Sequence, residues 1–190
     1  MRPDEPRRDV AGLSYLRGVH AGEPIAVLGA GPGLPADLER LPAGAILIGV
    51  NHHAIKLGIN LDYVAFLDDP RKIPGLRELV FSFRALGRLI SPLSAWSSFE
   101  LVNVPDFGLT ATFATWIAAK IGGGSIYLCG FDCYQTGAVY CDGSKIPPHP
   151  VHDYPLEMHL DVWRRARPHF GDARIRAVSG PLVEVFGGID

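Results

Sequence analysis

The sequence predicts one α/β domain of Rossmann-like type, a mostly parallel sheet with helices on both faces. Three observations lead there. Short apolar runs recur along the chain, and each stops at a glycine, asparagine or aspartate. Helical stretches separate them, which is the alternation that a parallel sheet with crossovers requires. The 190 residues also suit one domain. A chain of this size hides roughly 70% of its unfolded surface.

The elements follow in order. Residues 1–10 are polar, charged and Pro-containing, and read as a flexible N-terminal arm, with the folded domain over 11–190. Pro24-Ile25-Ala26-Val27-Leu28 is apolar throughout, as a strand buried on both faces is, and it stops at Gly29-Ala30-Gly31-Pro32-Gly33. A short helix is expected over 35–41. Strands follow over 45–50, ending at Asn51, and over 62–67, ending in Asp68-Asp69-Pro70. Between them, 52–57 forms one or two helical turns closed by Gly58. Short strands are expected at 88–91 and 101–104. Thr110 caps a helix to Ile121 that is apolar nearly all round and therefore buried, with Gly122-Gly123-Gly124 ending it. The clearest late strand is Ser125 to Phe131, ending at Asp132. Residues 133–152 have no period and read as an ordered but mobile loop. Asp153 then caps a helix with Pro155 in its first turn, Leu156, Leu160 and Trp163 mark that helix's inner face, and 174–178 is the last strand.

Composition narrows the function classes. Hydrophobic residues are 47% and charged residues 20%, the balance of a packed globular chain. The formal net charge of -2 argues against a general nucleic-acid footprint. No apolar run approaches the roughly 18–20 residues of a transmembrane segment. The first nine residues lack the apolar core of a signal peptide, and three cysteines fit reduced thiols, so a cytoplasmic location is expected.

In folds of this class the ligand crevice lies outside the carboxyl ends of the strands. The strand-end residues are Gly29, Asn51, Asp68 and Asp132. Gly29, Gly31 and Gly33 form a strand-to-helix turn of the kind that cradles a phosphate on backbone N–H groups, or that serves only as a tight turn. The turn matches neither a dinucleotide fingerprint nor a Walker A loop, because Leu34 and Asn51 stand at the diagnostic positions and no Gly-Lys-Ser/Thr follows. Asp68 and Asp69 suit either Mg²⁺ or a ribose, or a plain turn before Pro70. Cys129, Cys133, Cys141, His149, His152 and His159 have no zinc-ligand spacing, so no metal is assigned. Tyr134, Tyr140 and His152 share the loop after the last strong strand, where phenols hydrogen-bond phosphate and an imidazole moves a proton. Arg164, Arg165, Arg167, Arg174 and Arg176 form a basic cluster that reads as a solvated helix and strand edge.

The segment Ile126-Tyr127-Leu128-Cys129-Gly130-Phe131-Asp132-Cys133-Tyr134-Gln135-Thr136-Gly137-Ala138-Val139-Tyr140 resembles the signature stretch of the family-42 bacterial sialyltransferases. The Gly29-Ala30-Gly31-Pro32 turn is similar too, and the likeness runs collinearly over about residues 25–165. It implies a nucleotide-dependent transferase, a glycosyltransferase with a CMP-linked or other nucleotide-sugar donor, a carbohydrate acceptor and no required cofactor. On that likeness Asn51 contacts the nucleotide, Thr110 lies at the donor site where the family has Ser, and Tyr134 and Tyr140 bind the donor phosphate. His152 is the catalytic base. Asp68 takes the place of the family's third strand-end Asn.

A second likeness, to the archaeal-type hydroxymethylpterin pyrophosphokinases, rests on Gly29-Ala30-Gly31-Pro32 and on the stretch from Asp62 to Asp68. It implies Mg²⁺ and ATP, with Asp68 and Asp69 as ligands. A non-catalytic nucleotide-binding module is the third reading. Trp96, Phe99 and the segment 71–100 offer either an acceptor pocket or the contact of a homo-oligomer.

Overall fold

The computed structural model describes residues 11–12, 16–69, 72, 88–93, 97–101, 104–122, 124–135, 139–146 and 150–189. The expected arm 1–10, most of 71–87, Trp96 and His149 lie outside them. Six strands form one sheet: β2 (Pro24–Leu28), β3 (Ile46–Val50), β4 (Tyr63–Ala65), β5 (Leu89–Ile90), β7 (Ser125–Cys129) and β8 (Arg174–Ala177). Their order is β5-β4-β3-β2-β7-β8, and every pairing is parallel. From β2 the chain steps outward through β3, β4 and β5. It then returns to lay β7 on the other side of β2. That reversal is the topological switch point of the sheet.

Alternation along β2 explains its continuous apolar run. Ile25 and Val27 face one core with Phe113, Ile117, Leu160 and Trp163. Ala26 and Leu28 face the other with Leu34, Ala54, Val64 and Phe66. The first core lies under α3 (Thr110–Ile121) and α4 (Leu156–Ala166), the second under α1 (Leu34–Leu38) and α2 (His53–Lys56). The expected two-faced α/β sandwich is present.

Several local expectations are corrected. The third strand is Tyr63–Ala65 rather than 62–67, because Asp62 turns its carboxylate to the Leu47 N–H at 2.9 Å and closes the loop before the strand. The first helix is Leu34–Leu38 rather than 35–41, and its Pro35 sits in the first turn. The strand expected at 101–104 is instead β6 (Phe99–Glu100), which pairs in parallel with β1 (Ala11–Gly12) in a separate two-stranded sheet. Leu101 and Val104 lie outside any strand.

Thr110 is the first helical residue of α3 and not its cap. Leu109, in extended backbone, holds the cap position, and the Thr112 hydroxyl donates to the Leu109 carbonyl at 2.8 Å. Asp153 is not the cap of α4. It belongs to a 3-10 turn, Pro150–Asp153, and Pro155 occupies the cap position. Gly122 ends α3 in the left-handed region (φ 105°), as a C-terminal glycine does.

The basic cluster is structural. Arg164 pairs with Glu157 and Glu184, and Arg165 with Asp161. Arg167 and Arg176 donate to the carbonyls of Val185 and Phe186, which ties the unexpected short helix α5 (Val183–Phe186) to the sheet edge.

Candidate functional site

A cavity of about 720 Å³ opens at the carboxyl ends of the strands. All four strand-end residues line it: Gly29, Asn51, Asp68 and Asp132. So do Gly31, Thr110, Tyr134, Tyr140 and His152. Gly33 does not line it. A Cβ there would meet only the Ser179 hydroxyl, at 3.7 Å.

Two amides of the glycine turn are held by protein. The Gly29 N–H donates to the Cys129 carbonyl at 2.8 Å, and the Gly31 N–H to the Gly130 carbonyl at 2.7 Å. The buried Asp37 carboxylate of α1 accepts the Gly130 N–H at 2.8 Å, so turn and strand end are locked together. These two amides therefore already have partners. The need for glycine is steric. A Cβ on Gly29 would lie 2.5 Å from the Gly130 carbonyl oxygen and 2.7 Å from the Phe131 ring. We expect Gly29→Ala to lower stability by about 1–3 kcal/mol, as overpacking in a closed core does. Urea unfolding monitored by circular dichroism checks this, and an unchanged midpoint would contradict the close approach.

Backbone strain gathers at the same place. Asn51 (φ 58°), Cys133 (φ 53°) and Tyr134 (φ 60°) are the non-glycine residues in the left-handed region among those described. Such conformations cost about 1–3 kcal/mol each and concentrate at functional sites. Their support is visible. The Asn51 N–H donates to the Ala65 carbonyl at 3.0 Å, and the Tyr134 N–H to the Asp132 carboxylate at 3.3 Å. The Gln135 side-chain amide donates to the Cys133 carbonyl at 2.8 Å. Both Asn51 and Tyr134 line the crevice.

The stretch 133–152 is more structured than an aperiodic loop. Val139 and Lys145 form an antiparallel bridge, so 139–146 is a small hairpin, and the 3-10 turn Pro150–Asp153 carries His152. The His152 ring lies against Tyr134 with centroids 4.3 Å apart. His159 of α4 approaches the same tyrosine at 5.6 Å. Burial pushes the Tyr134 phenol well above its ordinary pKa, and the nearby Tyr140, Asp132, Cys133 and Asp68 add to this. Tyr134 is therefore a hydroxyl donor at neutral pH, not a phenolate.

The facing wall was not legible in the sequence. His52 stacks on His53 (4.2 Å), and His53 on Tyr140 (3.8 Å). Asp142, 5% exposed in its side chain, receives His53 Nδ1 at 3.3 Å and Lys56 Nζ at 3.1 Å. Burial tends to raise the Asp142 pKa, but the hydrogen bonds from Ser144, Lys56 and His53 outweigh it and hold the group ionised well below the usual carboxylate range. Burial lowers His52 to about 4, with help from His53 and Lys56, so its ring is neutral at pH 7. Burial also lowers His53, against the opposing pull of Asp142.

Among the described residues, three buried side-chain atoms lack a hydrogen-bond partner: Asn51 Oδ1, His52 Nδ1 and His159 Nε2. All three residues line the cavity. A buried polar atom without a partner costs about 1–3 kcal/mol. Three in one crevice mark a surface shaped for polar ligand atoms. Among the described residues, no three His, Cys, Asp or Glu side chains gather as a metal site would need. Cys129 and Cys133 are buried thiols, Cys133 raised to about 12 by burial and Asp132, which leaves them as packing groups. No helix among the described residues is long and apolar enough to cross a membrane.

No protein-family model matches the chain, and no curated protein matches it in sequence. Among solved structures the chain is similar to the monofunctional alpha-2,3-sialyltransferase Cst-I from Campylobacter jejuni. The identity is 13%, over 88% of this chain and 80% of that one, with a TM-score of 0.47. It is also similar to the sialyltransferase CstII from Campylobacter jejuni in complex with the substrate analogue cytidine-5'-monophosphate. There the identity is 12%, over 89% and 85%, with a TM-score of 0.47.

Proposed function

We propose that this chain is a nucleotide-dependent glycosyltransferase that takes a CMP-linked sugar. The observation that carries the reading is convergence. Asn51 after β3, Tyr134 after β7, Tyr140 on the hairpin and His152 on the 3-10 turn reach one cavity from four separate segments. The motif likeness to the family-42 sialyltransferases gives the same four residues complementary roles. Asn51 holds the nucleotide through its side-chain amide, whose buried Oδ1 has no partner among the described residues. Tyr134 and Tyr140 donate hydrogen bonds to the leaving phosphate.

In the transfer, the bond between the sugar's anomeric carbon and the phosphate oxygen breaks. Its electron pair leaves with CMP, and the two phenols stabilise the charge that develops there. The acceptor hydroxyl oxygen forms the new bond to the anomeric carbon, and His152 receives its proton. Phenols and an imidazole supply these steps within the chain itself. Thr110 and Asp68 line the same cavity, where the motif likeness gives them to the donor.

Calorimetric titration tests the reading. CMP is expected to bind with an affinity that EDTA does not alter. ATP binding that requires Mg²⁺ would replace this reading with pyrophosphoryl transfer and make Asp68 the residue to mutate. Silence toward both nucleotides would overturn both enzymatic readings.

A further inference from the structure

The hairpin 139–146 brings Tyr140 to the cavity, closed by the Val139–Lys145 bridge and by the Gly143 N–H, which donates to the Tyr140 carbonyl at 2.9 Å. The Tyr140 N–H donates to the Ser144 carbonyl at 2.8 Å, and the Cys141 N–H to the Ala30 carbonyl at 2.7 Å. A two-stranded hairpin this short is not stable by itself. Beside the Cys141 bond to the glycine turn, Asp142 supplies an anchor to α2, and its two oxygens divide the work. Oδ1 accepts the Ser144 N–H at 3.0 Å and the Ser144 hydroxyl, closing the turn within the hairpin. Oδ2 reaches across to α2, where it receives His53 Nδ1 at 3.3 Å and Lys56 Nζ at 3.1 Å.

The Tyr140 ring packs on His53 at 3.8 Å, so the same contact that holds Asp142 also seats the tyrosine. The helix α2 begins two residues after Asn51, whose left-handed backbone aims it into the cavity. One mostly buried carboxylate therefore connects the segment carrying Asn51 to the segment carrying Tyr140.

We propose that Asp142 is a positioning residue: it latches the Tyr140 hairpin onto α2 and so holds two walls of the nucleotide site, those of Tyr140 and Asn51, at a fixed separation. Its effect on binding rests on the nucleotide reading given above. Its effect on the hairpin does not. The residue acts through its neighbours and needs no contact with the ligand.

The test is Asp142→Asn in the full chain. Asparagine keeps an oxygen for the Ser144 N–H, so the turn survives. Its amide nitrogen then faces two donors, and the charge that holds them is gone. Three readouts follow. Hydrogen exchange across 139–146 is expected to quicken about tenfold, and the dissociation constant for CMP to rise about tenfold, the scale of a lost hydrogen bond to a charged group. The His53 ring, followed by NMR, is expected to titrate at lower pH once the carboxylate charge is removed. The urea midpoint of the whole domain reports separately on general damage. If Asp142→Asn does not fold, Lys56→Met removes one donor from a side chain that is 43% exposed, and it should move exchange and affinity in the same direction by less.

Wild-type exchange in a folded Asp142→Asn protein would overturn the latch. Faster exchange with unchanged CMP affinity would overturn the positioning role. If the wild-type chain itself binds no CMP, the nucleotide reading falls, and exchange with the His53 titration alone decides the latch.

Discussion

His152→Ala is expected to lower transfer from a CMP-linked donor by about 10²-fold or more, the usual contribution of a positioned general base. The side chain sits on a 3-10 turn at the cavity wall, with its ring against Tyr134. Alanine removes the proton acceptor and leaves the two phenols and Asn51 in place. CMP affinity should therefore change little while turnover collapses, because the proton leaves the acceptor hydroxyl and not the nucleotide. Initial rates at saturating donor, together with a CMP titration of the same variant, separate these effects. Wild-type turnover would remove His152 from the chemistry. A large loss of CMP affinity would move it to the donor side. The buried His159 nearby is the next imidazole to test, since it lines the same cavity and its Nε2 has no partner.

The largest loss of stability is expected from Trp163→Ala. Trp163 is 1% exposed on the inner face of α4. It packs edge-on against Phe131 at 5.5 Å and Phe186 at 5.8 Å. Phe131 lies at the mouth of β7, and Phe186 on the last helix, so one indole joins the site's floor to the C-terminal edge of the sheet. Emptying so large a buried volume costs about 3–5 kcal/mol. A typical domain has only about 5–15 kcal/mol to lose. Urea unfolding is expected to shift by that amount, and a loss below about 1 kcal/mol would mean that the neighbours close the hole. The damage should also reach the site, because α4 carries His159 and the floor beneath Tyr134 moves with Phe131.

The sheet was legible because its strands are buried on both faces. The runs at 24–28, 45–50 and 125–131 were largely apolar, and their ends were marked by Gly29, Asn51 and Asp132; the last strand stops at Cys129. The strands at 88–91 and 174–178 were visible on weaker signals and are present in shortened form. Capping was misread. Thr110 and Asp153 have the right chemistry for caps, but Leu109 and Pro155 hold those positions without side-chain bonds. Propensity gives a preference there, and tertiary packing sets the register.

Within the site, eight of the nine expected residues face the cavity, and Gly33 alone does not. The glycines of the turn were read as a phosphate cradle or as a tight turn, and Gly29 and Gly31 leave room for Gly130, Phe131 and Asp132, the segment just after β7. The distinction lies in which atoms approach, and spacing along the chain does not carry that information. The wall built from His52, His53, Lys56 and Asp142 was missed for a related reason. His53 and Asp142 are 89 residues apart, and only the fold brings them together. The one local signal was the His52-His53 pair directly after a strand-end asparagine.

The reversal of strand order at β2 has a bearing on how the molecule assembles. β2 finds its β7 partner only after about a hundred residues of intervening chain, since Pro24 pairs with Ser125. Pairings this distant in sequence close late, because loop entropy is lost before the contacts form. The glycine turn, the strained pair Cys133–Tyr134 and the latch across Asp142 all sit on that last seam. Residues 24–90 folded alone would hold β2 to β5 and Asn51 but neither Tyr134 nor Tyr140, and no fragment of the chain lacking this seam brings those groups together. A nucleotide that binds across it would therefore act as a clamp on the final step of folding, slowing unfolding of the whole sheet rather than of one loop.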